Sequence, residues 1–503
     1  MSRLSFLLAF VMAITCTATS AQQATSLQNT AAAKSTDNAL TVAGLFKDHM
    51  VLQRECDAAI WGTVEAGRTV VVAPSWTHDT FTATANEHGH WRTSIKTPAA
   101  GGPFRIDVNS GSETKQLSDV LIGEVWICSG QSNMQWKLRG FGVDHFKEDV
   151  QKATISTIRF CDVPQVLALN GQDDVNARWT VCSPETALNF SAVAYFFGSR
   201  LHQELDVPIG LISTNWGGSS AEAWTSPEVL QRDFPEFNEQ SATYGAIAEQ
   251  SGTLFSRGQK PPKGLNQRSP SVLFNAMIRP LVPFAFRGVI WYQGESNVTH
   301  PEQYRRLFPA MIRDWRTRWG RGNFPFYFVQ IAPFAYKQEP VSAAFLREAQ
   351  MMSLSEPNTA MVVTMDVGNP TNIHPKPKKP VGQRLALLAL KHDYGRTDLV
   401  ASGPIYSGYS VEQDAIRIHF GELESGLASR DGKPLTHFTI AGADRTFVDA
   451  SAVIDGDTIV VRSDQITKPV AVRFGWGSGD MTNLSNQAGL PASSFRTDDW
   501  PIR

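Results

Sequence analysis

Val120-Leu121-Ile122-Gly123-Glu124-Val125-Trp126-Ile127-Cys128 is a nearly continuous apolar run, and it leads into Ser129-Gly130-Gln131-Ser132-Asn133-Met134-Gln135-Trp136. A run of that texture predicts a strand buried on both faces of a parallel sheet. Similar runs recur at 207–214, 288–292, 326–331 and 360–366. Between them, the stretches 191–205, 302–319 and 381–394 return apolar residues at three and four positions, as helices do. Strands alternating with helices predict an α/β layer with right-handed crossovers, whose chemistry gathers at the carboxyl ends of the strands.

On either side the texture changes. From Leu40 to about Asp119 short alternating runs, such as Ala59-Ile60-Trp61 and Thr69-Val70-Val71-Val72, are punctuated by Gly62, Gly67, Gly89 and Gly101-Gly102-Pro103. That spacing predicts antiparallel strands in a small sandwich. After Asp398 the alternation returns in Ala415 to Phe420, Thr458 to Val461 and Pro469 to Phe474. The chain has 503 residues, and at roughly 150 residues per domain about three are expected. The organisation read from the sequence is a signal peptide over 1–21, a linker over 22–38, a β-sandwich-like domain over 39–119, an α/β domain over 120–397 and a β-rich domain over 398–503. Residues 231–269, rich in Gly, Ser, Gln and Lys, read as an excursion or lid over the sheet.

Composition removes several function classes. Lys+Arg 46 against Asp+Glu 48 gives a net charge of -2, so nothing electrostatic recommends nucleic acid or an acidic membrane as partner. With 42% hydrophobic and 19% charged residues the chain is not disordered as a whole. The apolar stretch Phe6 to Ile14 follows Arg3 and precedes Thr19-Ser20-Ala21; it is too short to cross ~30 Å of hydrocarbon. It reads as a secretory signal, which makes the protein secreted or periplasmic. Cys56, Cys128, Cys161 and Cys182 contain no C-x-x-C spacing, which argues against a zinc site. A Cys161–Cys182 disulfide and four buried thiols stand as alternatives for them.

The strand ends carry the chemistry. Ser132 stands where a strand turns into a helix, a place that exposes a hydroxyl beside backbone N–H groups and suits a nucleophile whose attack creates an oxyanion. A helix cap is the plainer role for such a serine. Asn215-Trp216-Gly217-Gly218 follows the second strand, where adjacent glycines let a backbone N–H approach a ligand or simply turn the chain. The third strand delivers Gln293-Gly294-Glu295-Ser296-Asn297, and the Gln293 amide is a candidate donor to the same oxyanion. After the last strand, His374-Pro375 precedes a helix and is placed to offer an imidazole nitrogen to Ser132 as general base.

Gly123-Glu124-Val125-Trp126-Ile127-Cys128-Ser129-Gly130-Gln131-Ser132-Asn133-Met134, Trp291-Tyr292-Gln293-Gly294-Glu295-Ser296-Asn297 and Asn372-Ile373-His374-Pro375 together resemble the bacterial sialate O-acetylesterase family, within the SGNH (GDSL-like) hydrolases. His49 to Arg54, Val472 to Trp476 and Gly489 to Ala492 extend the resemblance over most of the chain. It implies an SGNH-like parallel sheet flanked by helices, with β-rich modules at both ends, and a serine hydrolase that takes acetyl groups from sugar hydroxyls. Ser132 is then the nucleophile and His374 the base and later the acid. The oxyanion donors are the Ser132 N–H, the Gly217 N–H, with Gly218 as the other choice, and the Gln293 side chain. No metal or organic cofactor is implied. Where many SGNH enzymes carry an aspartate three residues before the histidine, this chain has Thr371, and Asn372 stands beside it. Asp366, at the end of the last strand, is the candidate third member of the triad, with loop capping as its alternative role.

Sugar rings stack their C–H faces on aromatic planes, so Trp136 and Trp216 are the expected subsite residues, while Trp126 and Trp291 belong to strands and to the core. The expected substrate is an acetylated carbohydrate, either a sialic acid or a plant polysaccharide such as xylan or xyloglucan. A sialate requires a cation beside its carboxylate, for which Lys137, Arg139 and Arg279 are the candidates. A glycan-binding protein built on an inactive hydrolase core, and a lipase or thioesterase, are the readings of other kinds.

Overall fold

A computed structural model describes residues 39–142, 145–337, 342–421 and 423–501. The expected signal peptide and linker lie outside the described residues. The run that opens the α/β region is the middle of one long strand, β1 (Glu113–Gly130), 18 residues with two textures. Its first part pairs antiparallel with Gly101–Ser110 and is exposed or half-buried apart from Leu117. From Val120 onward every residue is buried, because neighbours now flank it on both edges and helices cover both faces. The expected 119/120 boundary is therefore a change of partners inside a strand. Asp119 marks it, with φ +52°, and its carboxylate takes a bidentate pair from buried Arg159 at 2.7 and 3.1 Å.

The strands that follow are β2 (Ile155–Asp162), β3 (Arg178–Cys182), β4 (Ile209–Asn215), β5 (Gly288–Tyr292), β6 (Phe326–Val329) and β7 (Thr359–Val362). Their order is β3-β2-β4-β1-β5-β6-β7, all parallel except the edge strand β3. The chain moves from β4 on one side of β1 to β5 on the other, so a crevice opens at the carboxyl end of β1. Asn215 pairs with Gly130 and Gly130 with Tyr292, which brings three strand ends level.

Alternate side chains of these strands enter two cores. Trp126, Cys128, Ile290 and Tyr292 face helices α2 (Ala192–Leu205) and α5 (Lys378–Asp393), through Val193, Phe197, Val381 and Leu385. Val125, Ile127, Val289 and Trp291 face α3 (Pro301–Trp319) and α4 (Ser342–Met352), through Leu307, Phe308, Trp315 and Leu346. Before α2 comes a single turn, α1 (Ser132–Gln135), at the head of β1.

The N-terminal module pairs Asp57–Thr63 with His90–Lys96, and Thr69–Pro74 with Phe81–Thr84 and Gly101–Ser110. Both of its sheets contribute to a core that includes Ile60, Trp91, Val72 and Ile106. The C-terminal module has two four-stranded sheets around Ile418, Ile440, Ile459, Phe474 and Phe495. Arg347 of α4 is fully buried and donates to the carbonyls of Gly475 and Gly477 at 2.9 and 3.0 Å, tying this module to the helix. The 231–269 segment contains helices Asn238–Ala242 and Tyr244–Ser251 and a strand, Leu254–Ser256, paired with Val166–Ala168. Among the described residues Cys56, Cys128, Cys161 and Cys182 are all free. Cys161 sits opposite Trp179 and Cys182 opposite Ile155, so the β2–β3 register holds the two thiols apart.

Candidate active site

The site begins with a backbone constraint. Gly130 ends β1 at φ +135°, and a Cβ there would stand 2.2 Å from the Tyr292 carbonyl oxygen, so only glycine turns the chain this close to β5. Gln131 then anchors the turn, its Oε1 accepting from the N–H groups of Gly294 and Ser296 at 3.3 and 3.2 Å. Ser132 emerges half-exposed as the first residue of α1, where its N–H has no acceptor inside the helix.

His374 arrives from the loop between β7 and α5. Its Nε2 lies 2.9 Å from Ser132 Oγ, a hydrogen-bond contact across 242 residues of chain. The ring tilts over Trp136, with centroids 4.5 Å apart, and the His374 backbone N–H donates to Asn372 Oδ1 at 2.9 Å. Burial and then the Lys378 ammonium hold the imidazole below the ordinary histidine pKa, so it is neutral and able to accept a proton near neutrality.

Other expected residues take different parts. Asp366 forms a bidentate pair with Arg384 at 2.8 and 2.6 Å and makes no hydrogen bond to His374. It lies in a turn after β7, which ends at Val362, so its carboxylate faces α5. Among the described residues no carboxylate bonds the His374 ring. Gln293 is fully buried; its amide donates to Ser219 O at 3.2 Å and Asn297 Oδ1 at 2.7 Å, while its Oε1 accepts from the Tyr304 hydroxyl at 3.2 Å. With both protons engaged it is a strut beneath the crevice and has none to give an oxyanion. Gly217 does reach the serine: a Cβ on it would lie 3.3 Å from Ser132 Cβ. Its N–H donates to Gln135 Oε1 at 2.6 Å. Gly218 has φ +75°, and its carbonyl accepts from Arg268.

The cleft above the serine holds ≈ 430 Å³ and is lined by Ser132, Gln135, Trp136, Lys137, Arg139, Gly140, Arg257 and His374. Trp136 is on this wall, stacked on Phe141 with centroids 5.0 Å apart. Trp216 is not; it packs half-buried on the core, and its backbone N–H donates to Gly130 O. Lys137 and Arg139 line the cleft, whereas Arg279 is paired with Asp173 at 2.8 Å elsewhere. Arg257, supplied by the 231–269 segment, was missed because a lone arginine in a polar loop carries no pattern. None of these three lining cations forms an ion pair among the described residues.

Asn133, Glu295 and Lys378 were also missed as a group. Asn133 Nδ2 donates to Glu295 Oε1 at 2.5 Å and to Ile373 O at 3.1 Å, and its Oδ1 accepts from Lys378 Nζ at 2.5 Å. Burial raises the Glu295 pKa and lowers that of Lys378 to about 7. Adjacency to Ser132 and His374 was the available signal, but residue type alone does not reveal which partners a buried amide meets. Among the described residues no three His, Cys, Asp or Glu side chains group as a metal site would require.

Residues 122–391 match the family described as carbohydrate esterase, sialic acid-specific acetylesterase. The human sialate O-acetylesterase is 32% identical over 400 residues, which cover 72% of this chain and 73% of that protein. The sialate O-acetylesterase of Rattus norvegicus is 32% identical over 412 residues, covering 72% and 75%. A crystal structure of a carbohydrate acetylesterase from Xanthomonas citri is 37% identical, with a TM-score of 0.81 over 92% of this chain and 100% of that one. A neutral imidazole on a serine hydroxyl, at the head of a parallel sheet of this topology, agrees with those likenesses: the chain belongs to the sialic acid-specific acetylesterase family of carbohydrate esterases and is a carboxylic ester hydrolase.

Proposed function

We propose that the chain is an exported carbohydrate O-acetylesterase that works through an acetyl-enzyme on Ser132. The observation that carries this reading is the 2.9 Å contact between Ser132 Oγ and His374 Nε2 on the wall of an open cleft. The serine oxygen attacks the acetyl carbonyl while its proton passes to Nε2. The carbonyl oxygen, now negative, is received by the Ser132 and Gly217 N–H groups once Gln135 has turned aside. Collapse breaks the ester bond, and His374 returns the proton to the departing sugar hydroxyl. Water then attacks the acetyl-enzyme, gives its proton to His374, and acetate leaves as Ser132 is re-protonated. The apolar stretch Phe6 to Ile14 behind Arg3 supports export.

For the acceptor sugar, Lys137, Arg139 and Arg257 favour an anionic ring such as an O-acetylated sialic acid, since cations lining the serine's cleft and making no ion pair among the described residues are placed to take a carboxylate. Acetate release from O-acetylated sialic acid, acetylated xylan and acetylated xyloglucan, each with wild type and Arg139→Ala, tests both layers. The reading predicts preference for the sialate and a rise in KM for it alone in the variant. Preference for xylan or xyloglucan, with no effect of Arg139→Ala, overturns the sialate assignment. Equal activity of wild type and Ser132→Ala on every substrate overturns the acetyl-enzyme.

A further inference from the structure

Among the described residues no carboxylate orients the His374 imidazole as one usually does in a catalytic triad, and Asp366 is held by Arg384. Something else must fix the ring against Ser132. The peptide immediately before His374 ends in the Ile373 carbonyl, and that oxygen accepts from Asn133 Nδ2 at 3.1 Å. Asn133 is the residue immediately after Ser132 and is fully buried, so one side chain ties the nucleophile's own turn to the base's own loop.

The amide is not free to rotate. Its second proton goes to Glu295 Oε1 and its oxygen takes Lys378 Nζ, both at 2.5 Å. These partners come from two further segments, the loop after β5 and the first turn of α5. A flip of the amide would set its oxygen against a carboxylate and its nitrogen against an ammonium. Lys378 is itself in an unfavourable place: it is fully buried, and a cation in the first turn of a helix opposes the helix dipole. Packing alone would be served by an apolar residue, so a buried lysine here points to the bond it makes.

Resting on the assignment of Ser132 and His374 as the reacting pair, we infer that Asn133, gripped between Glu295 and Lys378, is the positioning residue that holds His374 on Ser132 from the backbone side of its loop. The groups facing this cluster are few. Among the described residues Glu295 Oε2 is buried without a hydrogen-bond partner, as are the hydroxyls of Tyr292 and Tyr336, which both feel the Glu295 charge. The Lys378 ammonium lies 5.6 Å from the Tyr292 ring centre and 5.9 Å from that of Phe141. It also lies close enough to His374 to disfavour the imidazolium.

The test compares Asn133→Asp, Lys378→Met, Glu295→Leu and Glu295→Gln with wild type on an aryl acetate, each checked for folding by circular dichroism. Asn133→Asp keeps the Lys378 contact and removes both donated bonds. It is expected to lower kcat about 10²-fold with KM little changed, the scale of a small misplacement of a reacting group. Lys378→Met is expected to lower kcat and to move the acid limb of kcat/KM to higher pH, because His374 loses a neighbouring cation. Glu295→Gln, which keeps an acceptor for Asn133, is expected to recover most of the rate lost in Glu295→Leu. Should Asn133→Asp not fold, the Lys378 and Glu295 variants decide. Unchanged kcat in a folded Asn133→Asp, or an unmoved acid limb with full kcat in Lys378→Met, overturns the inference. Full activity in Ser132→Ala would instead remove the assignment on which it rests.

Discussion

The side-chain oxygen of Gln135 lies 2.6 Å from the amide nitrogen of Gly217, so a donor next to the serine already holds an acceptor. In the mechanism we propose, the substrate carbonyl displaces it. Gln135→Ala frees that N–H, and kcat/KM for an aryl acetate is expected to rise by up to about fivefold, because a neutral hydrogen bond is worth ~1 kcal/mol net. Steady-state kinetics of the variant check this. A marked fall in rate would show that Gln135 supports the reaction.

The pH profile follows from His374. Its pKa lies below the ordinary histidine value because of burial and the Lys378 charge, and only the neutral ring accepts the serine proton. Activity is therefore lost as pH falls through that lowered value. The acid limb of kcat/KM is expected below the range of an unperturbed histidine, with a flat top near neutrality. A limb displaced to higher pH would contradict the buried, cation-flanked imidazole.

Asp366→Asn separates a triad acid from a structural one. The carboxylate pairs with Arg384, so the variant is expected to keep kcat within about threefold of wild type, whereas losing a catalytic aspartate costs about 10⁴-fold. The melting temperature is expected to fall, since a mostly buried guanidinium loses its partner. Kinetics and a thermal melt on the same preparation give both readouts.

Glu124 lies in the middle of β1, opposite the start of β4, and holds a buried ion-pair cluster. Its buried carboxylate meets Arg54 at 2.6 Å, Arg287 at 2.9 and 3.1 Å, and the Tyr394 hydroxyl at 2.9 Å. Burial alone would raise its pKa, but Arg287, with Gln53 and Arg54, outweighs that and holds it below the ordinary value. A depressed carboxylate contributes stability above its unfolded pKa and loses it as pH falls through the folded one. Glu124→Ala is expected to cost about 3 kcal/mol at neutral pH and to flatten the acid side of the stability curve. Urea unfolding at several pH values measures both effects.

The residues explain which parts of this molecule are legible in the chain. β1 and β5 announce themselves because burial on both faces leaves uninterrupted apolar runs; the Ser132 motif sits at the turn that β1 aims, and the His374 motif in the loop after β7. β2 is hidden because Arg159 interrupts Ile158 and Phe160, and that arginine is needed inside to grip Asp119. The run at 360–366 overshoots its strand, since Thr364 leaves the ladder and donates its hydroxyl to Gln330 O at 2.7 Å. Gln293 has the right chemistry for an oxyanion donor, yet Ser219 and Asn297 claim its protons, and only folding brings those acceptors there. Trp216 likewise has the right ring and the wrong side of the loop.

The proposed reaction passes through a covalent intermediate on Ser132 that His374 must resolve. Rapid quench of wild type and His374→Ala with an activated acetyl ester, followed by peptide mass analysis, reads it directly. The account predicts one acetyl group on the peptide containing Ser132, faint in wild type and long-lived in a slowly acylated His374→Ala, and absent in Ser132→Ala. An acetyl group that appears equally in Ser132→Ala, or turnover in that variant at the wild-type rate, would contradict it.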